Sequence, residues 1–143
     1  MAEVSLREFR FPQDYSAALC LWETMEKGVR IGRSDTLNEV EKKLRRDPDL
    51  FLVAEAEGEI VGTVIGGFDG RRGMIYHLAV HHEYRGLGVG GHLMDEVERR
   101  LKAKGCRKCY LMVTTDNAEA MQFYERRGWS RMEIHPYSKE LDP

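Results

Sequence analysis

The feature that most constrains this chain is a change of hydrophobic period midway along it. Residues 50–80, "LFLVAEAEGEIVGTVIGGFDGRRGMIYHLAV", hold three apolar runs, 50–56, 59–67 and 74–80. Glu57-Gly58 is a tight hairpin signal between the first two, and Asp69-Gly70 with Gly73 marks a second turn. These runs predict an antiparallel meander. Past the glycine-dense "YRGLGVGG" at 84–91 the period lengthens, with Leu93, Met94, Val97 and Leu101 at helical spacing. Gly105 stops that helix near 104, and "KCYLMV" (108–113) reads as a buried strand. Strand, helix and strand in that order make 74–80 and 108–113 parallel, within one mixed sheet.

The flanks add to this frame. "VSLREF" (4–9) alternates like a first strand, and "RFPQD" opens a helix with Pro12 at an early position. Ala18, Leu19, Leu21, Trp22 and Met25 give that helix one apolar face. "EKGVRIGRSD" (26–35) reads as a loop, and Ser34 or Asp35 caps a second helix over about 36–46. Leu37, Val40 and Leu44 form its inner face, and Asp47-Pro48-Asp49 ends it. Asp116-x-x-Glu119 resembles a capping box for a last helix, which runs through Arg127 and stops at Gly128. "WSRMEIHPYSKEL" predicts one or two final strands broken at Pro136. The order is β-α-α-β-β-β-α-β-α-β(β). It predicts an α/β (mixed α+β) fold with six to seven strands in one central sheet and helices on both faces. Nothing reads as a linker or a repeat, so residues 1–143 are expected to form one domain.

Composition excludes several function classes. The 143 residues are 42% hydrophobic and 32% charged, as in a soluble globular protein, and no apolar run approaches the roughly 20 residues of a membrane span. "MAEVSLREFR" lacks the apolar core of a signal peptide, so the expected location is cytoplasmic, with no membrane partner. Net charge is −2 with both signs mixed, which gives no footing for nucleic acid. The basic stretch "ERRLKAKGCRK" (98–108) reads as a solvated helix face. Cys20, Cys106 and Cys109 are an odd number, expected to be reduced thiols. Cys106-x-x-Cys109 lacks a second pair, and His81-His82 point different ways without a third donor, so no metal is expected.

The glycine loop precedes a helix, whose N-terminus collects unpaired N–H groups and the positive end of the helix dipole. Such a site suits a phosphate, and glycines let backbone approach it closely. Gly86, Gly88 and Gly91 satisfy G-x-G-x-x-G, the fingerprint of dinucleotide folds. Two observations oppose that reading. His81 to Arg85 separate the loop from its strand, and only 27 residues follow Asp116, too few to finish a doubly wound domain. An NTPase loop is excluded because no Gly-Lys-Ser/Thr occurs.

Arg85-x-x-Gly88-x-Gly90 matches the Q/R-x-x-G-x-G/A motif of the GNAT superfamily, the acyl-CoA-dependent N-acyltransferases. "HLAVHHEYRGLGVG" resembles that family's strand and loop, and "NAEAMQFYERRGW" (117–129) resembles its N-x-x-A-x-x-x-Y-x-x-x-G-F/W helix. The resemblance covers nearly the whole chain, and it is greatest to small bacterial members of the YpeA type. It implies an N-acetyltransferase that uses acetyl-CoA as co-substrate and acts on a primary amine by direct attack in a ternary complex. It further implies that Arg85, Gly86, Leu87, Gly88, Val89 and Gly90 hold the pyrophosphate. Leu78, Ala79 and Val80 would pair with the pantetheine arm, and a backbone N–H there would meet the thioester carbonyl. Asn117 would contact the cofactor, cap its helix, or both. Tyr124 would protonate the departing sulfur.

The general base stays open at this level. Strand alternation puts His77 on the face opposite Tyr76 and Leu78, and Glu23, Asp69, Glu83 or a water chain are alternatives. The lack of a clear base is also why a non-catalytic acyl-CoA-sensing module is the alternative function. Arg30 and Arg33 in the 26–35 loop suit an anionic acceptor, or are simply solvated. Small metabolite, peptide N-terminus and lysine side chain all remain as acceptors. Members of the family are often dimers, and the predicted strand after Pro136 offers an edge for a homodimer.

Overall fold

The computed structural model describes residues 3–142, so Met1 and Ala2 of the stretch read for a leader lie outside the described residues. The chain forms two compact units, Met1–Met112 and Val113–Pro143. In the first, β1 (Val4–Glu8), β2 (Phe51–Ala56), β3 (Glu59–Phe68), β4 (Gly73–Val80) and β5 (Cys109–Tyr110) form a sheet in the order of their numbering. The first three pairings are antiparallel and β4–β5 is parallel.

The hairpin between β2 and β3 forms where Glu57-Gly58 predicts it. Both residues take positive φ, 51° and 79°, the backbone that twists a two-residue turn to match its strands. β2 is an interior strand sealed on both faces, which explains its nearly unbroken apolar run. Alternation then sorts the core into two layers. Phe51, Val53 and Ile65 face α1 (Tyr15–Glu23) and pack with Ala18, Leu21 and Trp22, together with Val40 of α2 (Leu37–Arg46). Gly62 and Gly66 of β3 face α3 (Val89–Ala103). A Cβ on Gly62 would meet Leu93 at 3.0 Å, and one on Gly66 would meet Val97 at 2.8 Å. Helices therefore cover both faces of the sheet, as expected.

Several boundaries differ from the sequence reading. Pro12 lies in a turn before α1, where the Asp14 carboxylate takes the Arg10 N–H at 2.7 Å. Thr36, rather than Ser34 or Asp35, caps α2, its hydroxyl accepting from the Glu39 N–H. Leu37 points outward, 43% exposed, so the inner face of α2 reduces to Val40 and the part-buried Leu44. β5 has two residues instead of six, and residues 129–142 contain no strand. Among the described residues the sheet thus has five strands, where six to seven were expected. Met132, Ile134, Tyr137 and Leu141 of the tail are exposed, so its apolar residues gain no burial to offset the cost of ordering. Among the described residues no strand follows Pro136, where one was expected to offer a pairing edge.

In the second unit, α4 (Ala118–Arg126) is capped by Asn117, not Asp116, with Asn117 Oδ1 accepting the Ala120 N–H at 3.1 Å. It ends in a left-handed Gly128 (φ 92°), where the Trp129 N–H reaches back to the Tyr124 carbonyl at 3.0 Å. Among the described residues no helix is long and apolar enough to cross a membrane.

Candidate functional site

The glycine loop leads directly into the first turn of α3. Gly86 (φ 78°) and Gly88 (φ 85°) both sit in the left-handed region, and Gly88 is the N-cap. A Cβ at either would have nothing within 4 Å, so the glycines serve the backbone's course and leave its outer side open. Among the described residues, the N–H groups of 86–90 have no hydrogen-bond partner. Five free donors at the N-terminus of a 15-residue helix make a site for an anion of phosphate chemistry. Leu87 is exposed, Val89 is buried as an anchor, and Arg85 reaches back so that its Nε donates to the Val80 carbonyl at 3.3 Å. This loop therefore suits a diphosphate.

β4 leads into the loop, and two irregularities shape it. β5 pairs with it at Gly73↔Cys109 and Met74↔Tyr110, so among the described residues the outer edge of β4 has no strand partner from Ile75 to Val80. Leu78, Ala79 and Val80 lie on that open edge, with Ala79 turned into the core. On the other side, Thr63 pairs with Ala79 but Ile65 pairs with Tyr76. Two residues, His77 and Leu78, thus oppose Val64 alone, which is a β-bulge.

The bulge overturns the expectation for His77. His77 takes φ 53°, and its imidazole lies on the same side as Tyr76, the two rings edge to face at 5.7 Å. It also meets Trp22 edge to face at 4.8 Å, on the α1 side of the sheet. Regular alternation would have sent it to the α3 side; the extra residue cancels the alternation at this position. His77 Nε2 lies 2.8 Å from Asp35 Oδ1, with side-chain exposures of 13% and 8%. The other Asp35 oxygen accepts the Gly32 N–H at 2.9 Å, and its carbonyl accepts the Tyr15 hydroxyl at 2.7 Å. Sequence reasoning missed this pair. Asp35 read only as a cap, and neither period nor motif links it to His77.

The other candidates for a base occupy different roles. The Asp69 carboxylate accepts the N–H groups of Arg72 and Arg71 at 2.8 Å each, and these bonds hold it below the usual carboxylate range. It lies in the turn before β4, at the far end from residues 78–80. Glu23 is exposed at the end of α1, and Glu83 is exposed in a 3-10 turn between β4 and the loop. Arg30 and Arg33 are both exposed. Cys20, Cys106 and Cys109 are free thiols, and no cluster of metal-ligating residues occurs among the described residues. Asn117 and Tyr124 belong to the second unit. There Asn117 is buried, and Tyr124 packs edge to face on Phe123 (5.2 Å) and Trp129 (6.1 Å). Burial pushes the Tyr124 phenol up to about 12, so it stays protonated across the physiological range.

Comparison with known proteins agrees with this geometry. The model of the acetyltransferase (GNAT) family matches residues 15–129. An acetyltransferase of Pectobacterium atrosepticum is 41% identical over 138 residues, 96% of each chain. Among solved structures, Ard1 from Thermoplasma volcanium superposes with a TM-score of 0.76 at 28% identity, over 87% of this chain and 81% of that one. Glucosamine-6-phosphate N-acetyltransferase from Arabidopsis thaliana shares the fold, with a TM-score of 0.74 at 21% identity over 98% and 99%. A free-amide glycine loop beside an open strand edge, on this fold and with these relatives, places the chain in the GNAT family as an acetyl-CoA-dependent acetyltransferase.

Proposed function

We propose that the protein is an N-acetyltransferase that moves the acetyl group of acetyl-CoA to a primary amine by direct attack in a ternary complex. The whole chain, 1–143, acts in this reading as one domain, and a family match running from residue 15 to residue 129 supports that. We also place it among the small bacterial members of the YpeA type, in keeping with its identity to the Pectobacterium protein.

The observation that carries the reading is the set of unpaired N–H groups at 86–90. In this assignment Arg85, Gly86, Leu87, Gly88, Val89 and Gly90 bind the pyrophosphate, and Asn117 fixes the start of α4 and contacts the cofactor. Leu78, Ala79 and Val80 offer the pantetheine arm a strand edge to pair with. One of their N–H groups would polarise the thioester carbonyl. Bound acetyl-CoA supplies an activated acyl carbon with a thiolate leaving group.

Tyr124 takes the role of hydrogen-bond donor to the departing sulfur. With its phenol near 12 and an ordinary thiol near ~8.5, complete transfer would run uphill by more than about three powers of ten. It therefore stabilises the developing thiolate without giving up its proton. The non-catalytic alternative was motivated by the lack of a clear base in the sequence; the family match and the identity to the Pectobacterium acetyltransferase favour catalysis.

The test is a two-part assay: calorimetric binding of acetyl-CoA, then release of free CoA with a panel of amines. The panel spans spermidine, Nα-acetyl-lysine methylamide and a short peptide with a free N-terminus. Binding plus amine-dependent CoA release is expected. Binding without release from any amine would remove the N-acetyltransfer reading.

A further inference from the structure

The mechanism above leaves one chemical task unassigned. An aliphatic ammonium has no lone pair, so a proton must leave before the amine can attack. Among the described residues, the His77 imidazole has one hydrogen bond, Nε2 to Asp35 Oδ1 at 2.8 Å, so Nδ1 has no protein partner. A carboxylate can only accept, so this bond fixes the proton on Nε2 and leaves the Nδ1 lone pair free. The backbone is locked as well. Trp22 Nε1 donates to Thr63 Oγ1 at 2.9 Å, and Thr63 Oγ1 donates to the His77 carbonyl at 2.9 Å. A histidine held at φ 53° is strained, and such strain persists where surrounding structure over-determines it. The ring also adjoins Leu78 to Val80, the segment assigned above to the thioester.

We propose that His77 is the catalytic base that deprotonates the acceptor ammonium through Nδ1, and that Asp35 is a positioning residue that holds its tautomer. The proposal rests on the direct-attack reading above. One ammonium proton passes to Nδ1, and the imidazolium is stabilised by the Asp35 carboxylate. The neutral amine forms the C–N bond as the C–S bond breaks. The second amine proton ends on the sulfur, and His77 returns its own proton to solvent. The Asp35 carboxylate takes His77 on one oxygen and the Gly32 N–H of the 26–35 loop on the other, and the Tyr15 hydroxyl holds the Asp35 carbonyl to α1. Also titratable on this side are Tyr15 of α1, whose hydroxyl donates to the Asp35 carbonyl, Tyr76, whose phenol burial holds high, and beyond it Lys43 paired with Asp47 at 2.7 Å. From α1 the ring meets Trp22, edge to face at 4.8 Å.

Two variants and one spectrum test this. His77→Asn suits the left-handed backbone, because Asn is among the residues that tolerate it, and it keeps a polar group for Asp35 while removing the base. With the fastest amine of the panel, kcat should fall about 100-fold near neutrality, with acetyl-CoA affinity within about threefold. The loss should shrink as pH rises and the amine deprotonates unaided, which a merely structural role would not produce. Asp35→Asn should lower kcat with acetyl-CoA affinity within about threefold, because an amide can donate as well as accept and no longer fixes the proton on Nε2. In the free protein, long-range ¹H–¹⁵N spectra should show His77 protonated on Nε2. A proton on Nδ1 in that spectrum, or a His77→Asn profile that overlays the wild type, overturns the assignment and leaves the transferase reading standing. A protein that binds acetyl-CoA yet releases none with any amine overturns both.

Discussion

Gly88 meets two demands at once, a left-handed backbone at φ 85° and the N-cap of α3. Gly88→Glu strains the turn and puts negative charge where the free amides would meet a pyrophosphate. Acetyl-CoA affinity should drop at least about 100-fold by calorimetry. Gly88→Ala, which adds only strain, should lose far less. Equal losses in the two folded variants would detach the loop from the pyrophosphate. Tyr124 makes a different demand on its test. Tyr124→Phe keeps the ring packing on Phe123 and Trp129 and removes one hydrogen-bond donor. kcat should fall about 10- to 100-fold with acetyl-CoA affinity nearly unchanged. A fall confined to affinity would return Tyr124 to a packing role. The glycines were legible in the sequence because each left-handed position there is written as Gly. His77 was not, since a left-handed histidine carries no compositional mark.

The bulge in β4 is an element-scale feature, and one side chain from the neighbouring strand pins it. Thr63 is wholly buried, accepts from Trp22 and donates to the His77 carbonyl. Thr63→Val keeps the shape but leaves an indole N–H and a carbonyl unpaired away from water, at about 1–3 kcal/mol each. Urea unfolding should show about 2–4 kcal/mol of destabilisation, and the remaining folded enzyme should turn over more slowly because the His77 backbone is no longer held. A stability loss with full kcat would mean the bulge holds without Thr63. The meander and the amphipathic helices were readable because period and turn residues act locally. Register shifts are not local. The slip between Thr63 and Ile65 is set by what packs on each face, and strict alternation consequently put His77 on the wrong side.

At the scale of the whole molecule, distant ion pairs were equally invisible in the sequence, while single apolar residues such as Leu21 and Val40 were not. Arg100 of α3 donates to Glu8 of β1 at 2.6 Å and to Glu96 at 2.7 Å. Arg7 of β1 binds Asp14 at 2.7 Å and Glu55 of β2 at 3.0 Å. The tail was misread for a related reason, since its apolar spacing suits a strand but finds no ladder to join. These pairs set the acid stability of the protein. Burial alone would raise the Asp14 carboxyl, yet the Arg7 and Arg10 hydrogen bonds and charges together hold it below the usual value. Bonds from Arg99 and Arg100 hold Glu96 at about 2. Both are depressed in the folded state, so their contribution is present above the unfolded values, 3.8 for Asp14 and 4.5 for Glu96, and is lost as pH falls through the folded ones. Asp14→Asn should therefore cost about 1–3 kcal/mol at pH 7, because it leaves Arg7 with Glu55 as its only carboxylate. That gap should close as pH falls below the unfolded value of 3.8 and through the lower folded one, where wild-type Asp14 itself becomes neutral. Glu96→Gln should cost under about 1 kcal/mol at pH 7, since Arg99 is largely exposed and water screens the pair. Chemical denaturation of the three proteins across pH 2–7 measures both gaps. A gap for Asp14→Asn that stays constant over that range would mean that packing, rather than the carboxylate's charge, is what the substitution removes.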